Sequence, residues 1–599
     1  MKRRLVPAVL LSLSCLVPAS LAQNADAPKP GPRVVTLDIH GSMPERPGPL
    51  DWLMDGDSEP TLREVIDALH DASTSDRIDA ILVRLKDPEL NIAQIEELGA
   101  AIGHVRAAGK RVMVFGEAYG NAELLLGSYA DRVIAQSGGP LSMPGLFMEE
   151  MFLADTLAWA GLKADMVQVG DYKGASEQMG RAAPSPQWDQ NINQLLDSQY
   201  ANLREQMKRG RRMSDQQLDA AMEKSWMTDA QQAAALGLVD SVVDLPDLSD
   251  DISKQLGGKV AWSGGLIKKA PTQFAMDNPF AILQKLSQKP KASPGGPAIG
   301  VLHIDGVIVD GESSSGGLLG GGENVGSRTI RNAIEDILED DDFKGCIVRI
   351  DSPGGSATAS EVMWQGLRRL AAKKPVWVSV GSMAASGGYY CAVAGDKIYV
   401  NPSSIVGSIG VVGGKIAMQG LYDTLKVNVV TRSRGPRAAM FRSTLPWSPE
   451  EIELVRGKMR ETYDLFASRV TAGRKGIDLA KTAEGRLFTG SLAVDLKMAD
   501  KVGGLSDALA DMADSLSMTD YEVMDLPGPK PLEEVIRDAM KGFASAPVRG
   551  GSALEPVAGV IREAVGPHAW PALRDGMNAM LLLREQPVVL MTPSVIVTR

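Results

Sequence analysis

The sequence predicts an α/β fold built twice, each copy holding a largely parallel sheet with flanking helices. Two observations predict it. Short β-branched runs alternate with amphipathic stretches, the pattern of strand–helix–strand units. That pattern also recurs at a nearly constant offset. Leu37-Asp38-Ile39-His40-Gly41 returns as Leu302-His303-Ile304-Asp305-Gly306, 265 residues later. Ile81-Leu82-Val83-Arg84-Leu85 and Asp131-Arg132-Val133-Ile134 also return at 265, as Cys346–Ile350 and Asp396–Tyr399. Ser185-Pro186 returns at 263 and Leu238-Val239-Asp240 at 260. Chance supplies one such match, not five in order.

In the second copy, 298–304, 345–351, 375–380, 396–400 and 427–431 read as buried strands. Between them, 325–340, 358–372 and 386–394 read as helices. A helix over 448–471 opens with Ser448-Pro449-Glu450-Glu451: a cap, a proline in the first turn, then acids. The copies are assigned to 31–245 and 298–525. A linker over 246–297 ends in the run from Pro290 to Pro297. The extension 526–599 has no counterpart in the first copy.

Composition narrows the function. Apolar residues make up 44% and charged residues 23% of 599, a globular balance. The net charge of −11 and the lack of a Lys/Arg run argue against nucleic acid as a partner. Three cysteines, five scattered histidines and no HExxH or CxxC give no metal site, and no cofactor is expected. Residues 1–28 read as an export segment: Lys2-Arg3-Arg4, an apolar stretch, then Ser20-Leu21-Ala22 as a small-x-small cleavage pattern. Cleaved or kept as an anchor, it places the folded part outside the cytoplasm.

The copies differ where chemistry is expected. The second has two Gly-rich turns after strands, Asp351-Ser352-Pro353-Gly354-Gly355-Ser356 and Gly381-Ser382-Met383-Ala384-Ala385-Ser386-Gly387-Gly388-Tyr389. Small residues there let a ligand approach the backbone. A serine at such a helix start can serve as a nucleophile, with the Gly387 and Gly354 N–H groups facing an oxyanion. The first copy has Lys86-Asp87-Pro88-Glu89 and Asn121 instead. Taken alone, Ser386 reads as an N-cap as readily as a nucleophile. A serine nucleophile needs a base. His303 falls within a strand and no other histidine lies in these motifs, which disfavours a Ser-His-Asp triad. Lysine remains, and it must be neutral to act, so burial must lower its pKa. The residues alone do not choose which lysine.

These motifs, with Gly407-Ser408-Ile409-Gly410, resemble the signal peptide peptidase A (protease IV) family in its long, two-repeat form, over nearly all of 33–525. The resemblance implies a fold like the Clp protease proteolytic subunit and crotonases, and a Ser-Lys dyad divided between the repeats. It carries over Ser386 as nucleophile, Lys173 in Gly170-Asp171-Tyr172-Lys173-Gly174 as base, Ser408 as the serine that orients the lysine, and Gly387 and Gly354 as oxyanion donors, with Gly355 the alternative to Gly354. The offset sets Lys173 opposite Pro436-Arg437-Ala438, so each copy lacks half of the dyad. The resemblance further implies degradation of cleaved signal peptides or similar hydrophobic peptides. The implied place is the periplasmic face of the inner membrane, the protein anchored or peripheral, and the implied assembly a homotetramer.

Three competing readings remain at this level. They are an acyl-CoA enzyme on a crotonase-like fold, a non-catalytic peptide-binding scaffold, and a general periplasmic peptidase. The export segment argues against the first, and retention of both Ser386 and Lys173 against the second.

Overall fold

The computed structural model describes residues 31–48, 51, 59–267, 293–314, 324–528 and 588–592. The expected export segment and the Gly316–Gly322 run lie outside these residues, as does much of the expected linker.

In the first repeat the strands are β1 (Arg33–Ser42), β2 (Ala80–Glu89), β3 (Arg111–Gly116), β4 (Arg132–Gln136), β5 (Lys163–Val169), β6 (Ser241–Val243) and β7 (Ala261–Gly265). All but β5 form one parallel sheet, ordered β6-β4-β3-β2-β1-β7. Helices α1 (Leu62–Thr74) and α2 (Ile92–Ala107) follow β1 and β2 as crossovers. Thr61 caps α1 and exchanges hydrogen bonds with Glu64, while Leu62, Val65, Ile66 and Leu69 fall on its buried face. Further on come α3 (Asn121–Gly127), α4 (Ala154–Trp159) and α5 (Pro186–Arg211). The segment read as a linker begins with structure: α6 (Leu248–Leu256) leads into β7, which extends the first sheet beside β1.

The second repeat holds β8 (Ala298–Asp305), β9 (Val307–Val309), β10 (Asn324–Gly326), β11 (Phe343–Ser352), β12 (Gly354–Ser356), β13 (Val376–Ala385), β14 (Lys397–Val400), β15 (Ile405–Gly407), β16 (Val411–Ala417), β17 (Leu487–Thr489), β18 (Lys501–Val502) and β19 (Glu522–Leu526). A last strand, β20 (Val588–Met591), comes from the C-terminal extension. The main sheet runs β17-β15-β13-β11-β8-β19, with β14 beside β13; only β17 is antiparallel to its neighbour. Its helices include α7 (Ser327–Glu339), α8 (Ala357–Ala371), α9 (Gly387–Ala392), α10 (Pro449–Gly473) and α11 (Leu505–Ser515). Strand β11 is buried almost throughout, as expected of a central strand covered on both faces.

One strand expectation fails. Residues 427–431 form no strand and are exposed. Their β-branched pattern is real, but a strand exists only with a partner, and no described residue pairs with this segment. Its counterpart by the repeat offset overlaps β5, which does have one. Strand β5 pairs antiparallel with β16, from Lys163–Ala417 to Val169–Val411. This ladder belongs to a third sheet, β10-β9-β12-β20-β16-β5, built from both repeats.

Helix α5 reinforces the join. Asn191 donates to the Leu487 carbonyl at 3.1 Å and accepts from its N–H at 2.8 Å. Gln199 and Asn202 donate to the carbonyls of Ser403 and Pro402. The buried Arg349 guanidinium on β11 reaches Glu45 and Glu97 of the first repeat at 2.9 and 2.8 Å. Removing either partner of such a pair leaves an uncompensated buried charge, so these contacts fix register between the repeats.

Candidate active site

The site forms where the third sheet brings the two repeats together. Strand β13 ends at Ala385, and α9 begins at Gly387. Ser386 sits between them at φ 55° and ψ −112°, a strained turn for a residue with a side chain. Two backbone bonds hold it: its N–H donates to the Gly407 carbonyl and its carbonyl accepts from Tyr390 N–H, both at 2.8 Å. The side chain is fully buried. Gly387 permits a close crossing. A Cβ there would stand 2.6 Å from Ser360 Oγ and 3.2 Å from both Gly354 Cα and Gly355 N.

Lys173 arrives from the other repeat, four residues past β5. It is 1% exposed, and its Nζ lies 2.7 Å from Ser386 Oγ. The same nitrogen lies 2.8 Å from Ser408 Oγ and 2.9 Å from the Ser408 carbonyl. Burial drives the amine's pKa well below the ordinary lysine range, with no carboxylate among the causes to oppose it. Ser408 is itself held at φ 53°, its N–H donated to the Arg486 carbonyl. So the structure brings Ser386, Lys173 and Ser408 within hydrogen-bond reach of one another.

The glycine turn lies beside Gly387. Gly354 N–H donates to Ser352 Oγ at 3.1 Å, inside its own turn. Gly355 N stands close to Gly387, as given above. Asp351, at the end of β11, ties this turn to the serine strand: its carboxylate accepts from the hydroxyl and the N–H of Ser382. Desolvation pushes the Asp351 carboxyl up to about 7 although the Ser382 hydrogen bonds oppose it.

The first repeat has no such centre. Asn121 occupies the position equivalent to Ser386, starts α3, and donates to the Gly145 carbonyl at 2.8 Å. Residues 86–89 simply continue β2.

Sequence reading missed the seat of the lysine. Tyr172 N–H donates to the Glu484 carbonyl across the repeats at 2.8 Å. Gly485 follows at φ +89°, and a Cβ there would stand 2.5 Å from the Lys173 backbone nitrogen. A signal was present: counted back from the shared threonines Thr489 and Thr228, Gly485 faces Lys224, another loss of glycine in the first copy. The β20 strand beside the glycine turn was also missed.

No group of three or more His, Cys, Asp or Glu side chains able to hold a metal occurs among the described residues. Among the same residues, no helix is long and apolar enough to cross a membrane.

Comparison with known proteins agrees with two copies of one unit. A family described as "Peptidase family S49" matches residues 104–258 and again 368–519. "Protease 4" of Salmonella typhi is 27% identical over 528 residues, covering 85% of this chain and 82% of that one. "Protease 4" of Haemophilus influenzae is 27% identical over 460 residues, 74% of this chain and 71% of that one. "Serine protease SPPA, chloroplastic" of Arabidopsis thaliana is 27% identical over 446 residues, 73% of this chain and 63% of that one.

Proposed function

The chain belongs to peptidase family S49 and is a serine peptidase, and from that premise we propose that it works through a Ser-Lys dyad divided between its repeats. One observation carries the reading: a buried lysine with a lowered pKa stands 2.7 Å from the hydroxyl of a serine held in a strained turn. Lys173 takes the Ser386 proton as Oγ attacks a peptide carbonyl. The Gly387 N–H and one N–H of the Gly354–Gly355 turn receive the oxyanion. The lysine ammonium then gives its proton to the leaving amine, and water attacks the acyl-enzyme with the amine again as base. Ser408 keeps Nζ aimed at Oγ. The chemistry calls for no metal or cofactor.

The substrate class is an extended hydrophobic peptide, such as a signal peptide left after preprotein cleavage. The support is the motif resemblance and the apolar side chains around Ala385, among them Ile405, Leu487, Trp188 and Met383. The basic-then-apolar N-terminal segment supports export and work at the outer face of the inner membrane. Assembly as a homotetramer belongs to the same reading.

The test is hydrolysis of a signal-peptide-like peptide and its ester. Ser386→Ala brings the rate to background. Lys173→Ala lowers kcat on the order of 10²–10⁴-fold, the range of a general base. Full activity in either variant, with unchanged circular dichroism, overturns the role given to that residue.

A further inference from the structure

Strand β20 occupies a place that its own length does not explain. It holds four residues, yet it lies between β12, the strand of the glycine turn, and β16, the strand that ladders to the lysine-bearing repeat. It runs antiparallel to both. Met591 stands opposite Gly354, Leu590 opposite Gly355 and Val589 opposite Ser356. On the other side Val589 stands opposite Val412 and Val588 opposite Gly413. Thr592 extends the contact by donating its N–H to the Pro353 carbonyl at 3.0 Å.

The C-terminal end of this strand is aimed at the site. Met591 faces Gly354, and Gly354 Cα is 3.2 Å from the Cβ position of Gly387, the residue after Ser386. The side chains of Val589 and Met591, two residues apart and so on one face of a strand, join an apolar cluster. That cluster is completed by Leu157, Met179 and Ala175, the last only two residues past Lys173. Val589 and Thr592 are almost fully buried. Without β20, β12 and β16 would be two unpaired edges one strand-width apart, about 10 Å. Such a slot takes an extended peptide by main-chain hydrogen bonds, with pockets for alternate side chains.

We propose that residues 588–592 are a built-in ligand of the peptide groove: this strand of the chain lies where the backbone of an extended substrate lies, and competes with it. The inference rests on the serine peptidase reading of the site above. It also states the chemistry the groove selects, a short extended segment with apolar side chains at alternate positions. Tethering gives the strand an effective concentration that a free peptide must overcome, so displacing it raises apparent affinity by about tenfold or more.

The test uses the full chain with Ser386→Ala, so that nothing is cleaved, and a fluorescent peptide of the sequence Gln586 to Val595. Binding is read by anisotropy. The peptide binds weakly to this protein and about tenfold or more tightly once Val589→Asp and Met591→Asp are added to the chain. A peptide bearing the same two changes binds neither protein. Thr592→Pro, which removes the N–H given to Pro353 and spares the apolar cluster, moves affinity in the same direction and serves if the double variant unfolds. With Ser386 intact, the variants lower KM for an added peptide and leave kcat unchanged. Equal peptide affinity for parent and variants makes β20 a structural strand and overturns the proposal. If binding follows the expectation but no protein with Ser386 hydrolyses any peptide, the groove assignment stands and the peptidase mechanism falls.

Discussion

A neutral primary amine has two N–H donors and one lone pair, and Lys173 Nζ has three partners placed to match. The Ser408 carbonyl and Ser408 Oγ accept its two N–H groups, and the Ser386 hydroxyl donates to its lone pair. An ammonium would have three donors and no acceptor, so the cage suits the unprotonated form. Because the folded-state pKa of this lysine is lowered, the amine is protonated and inactive at low pH and becomes a base as pH rises through that pKa. The expected kcat/KM profile therefore climbs with pH on a limb lying well below the ordinary lysine range. Ser408→Ala removes one acceptor and leaves the carbonyl. The expected outcome is a fall in kcat of about 10- to 100-fold, with KM little changed and the rising limb displaced. A loss confined to KM would make Ser408 a substrate contact instead. At this scale the sequence was legible where the copies disagree. Ser386 against Asn121 and the glycine turn against 86–89 stand out because a tandem repeat carries its own control. Gly485 was legible by the same comparison and was missed, because nothing local says that a lysine from another repeat leans on it.

Elements were read well where their cause is local. The capped helices α1 and α10 follow from Thr61 with Glu64 and from Ser448 with Glu451, contacts three residues apart. The failures share the opposite cause. Residues 427–431 have a strand's composition without a partner, whereas β20 has partners 235 residues away that no periodicity announces. The surface between α2 and the second repeat is also non-local, and it carries a titratable group. Glu96 on α2 is 4% exposed and accepts from Ser403 N–H at 3.0 Å, Ser403 Oγ at 2.7 Å and Gln206 Nε2 at 2.6 Å. Desolvation outweighs these bonds and pushes its carboxyl up to about 7. The folded state thus keeps a proton that the unfolded chain has released, so stability falls as pH rises from the ordinary carboxyl value to about 7 and levels off above it. A rise from 4.5 to about 7 corresponds to roughly 3 kcal/mol. Glu96→Gln keeps an acceptor for Ser403 and cannot ionise. Urea unfolding at pH 4.5 and at pH 8 is expected to show the variant gaining on the parent by that order at the higher pH. Parallel pH dependences would mean that Glu96 is ionised in the fold.

Across the whole molecule, the ladder that joins the repeats implies a second ladder. Within one chain, β5 of the first repeat pairs with β16 of the second. The 265-residue offset maps β5 onto 428–434 and β16 onto 146–152. Neither mapped segment is a strand here. The first is exposed throughout, and the second alternates between exposed and half-buried residues, as an extended segment does. Val427, Val429, Val430, Phe147 and Met151 expose large apolar side chains on the two segments and beside them. If 428–434 of one chain meets 146–152 of the next as β5 meets β16, the contact is head-to-tail: each chain offers one edge and accepts another. Such a contact closes into a ring when the rotation per repeat divides the circle, and four chains of two repeats make the homotetramer proposed above. It also accounts for the β-branched run at 427–431, which then gains its partner from a neighbour. Sedimentation velocity is expected to find wild type as a closed oligomer, and a variant with Val427→Asp and Val430→Asp as a monomer of the same circular dichroism. Because Lys173 and Ser386 come from one chain, the monomer is expected to keep its activity per chain on a short ester. A monomeric wild type, or a variant of unchanged size, would remove the second ladder and leave 427–431 as a solvent-facing loop.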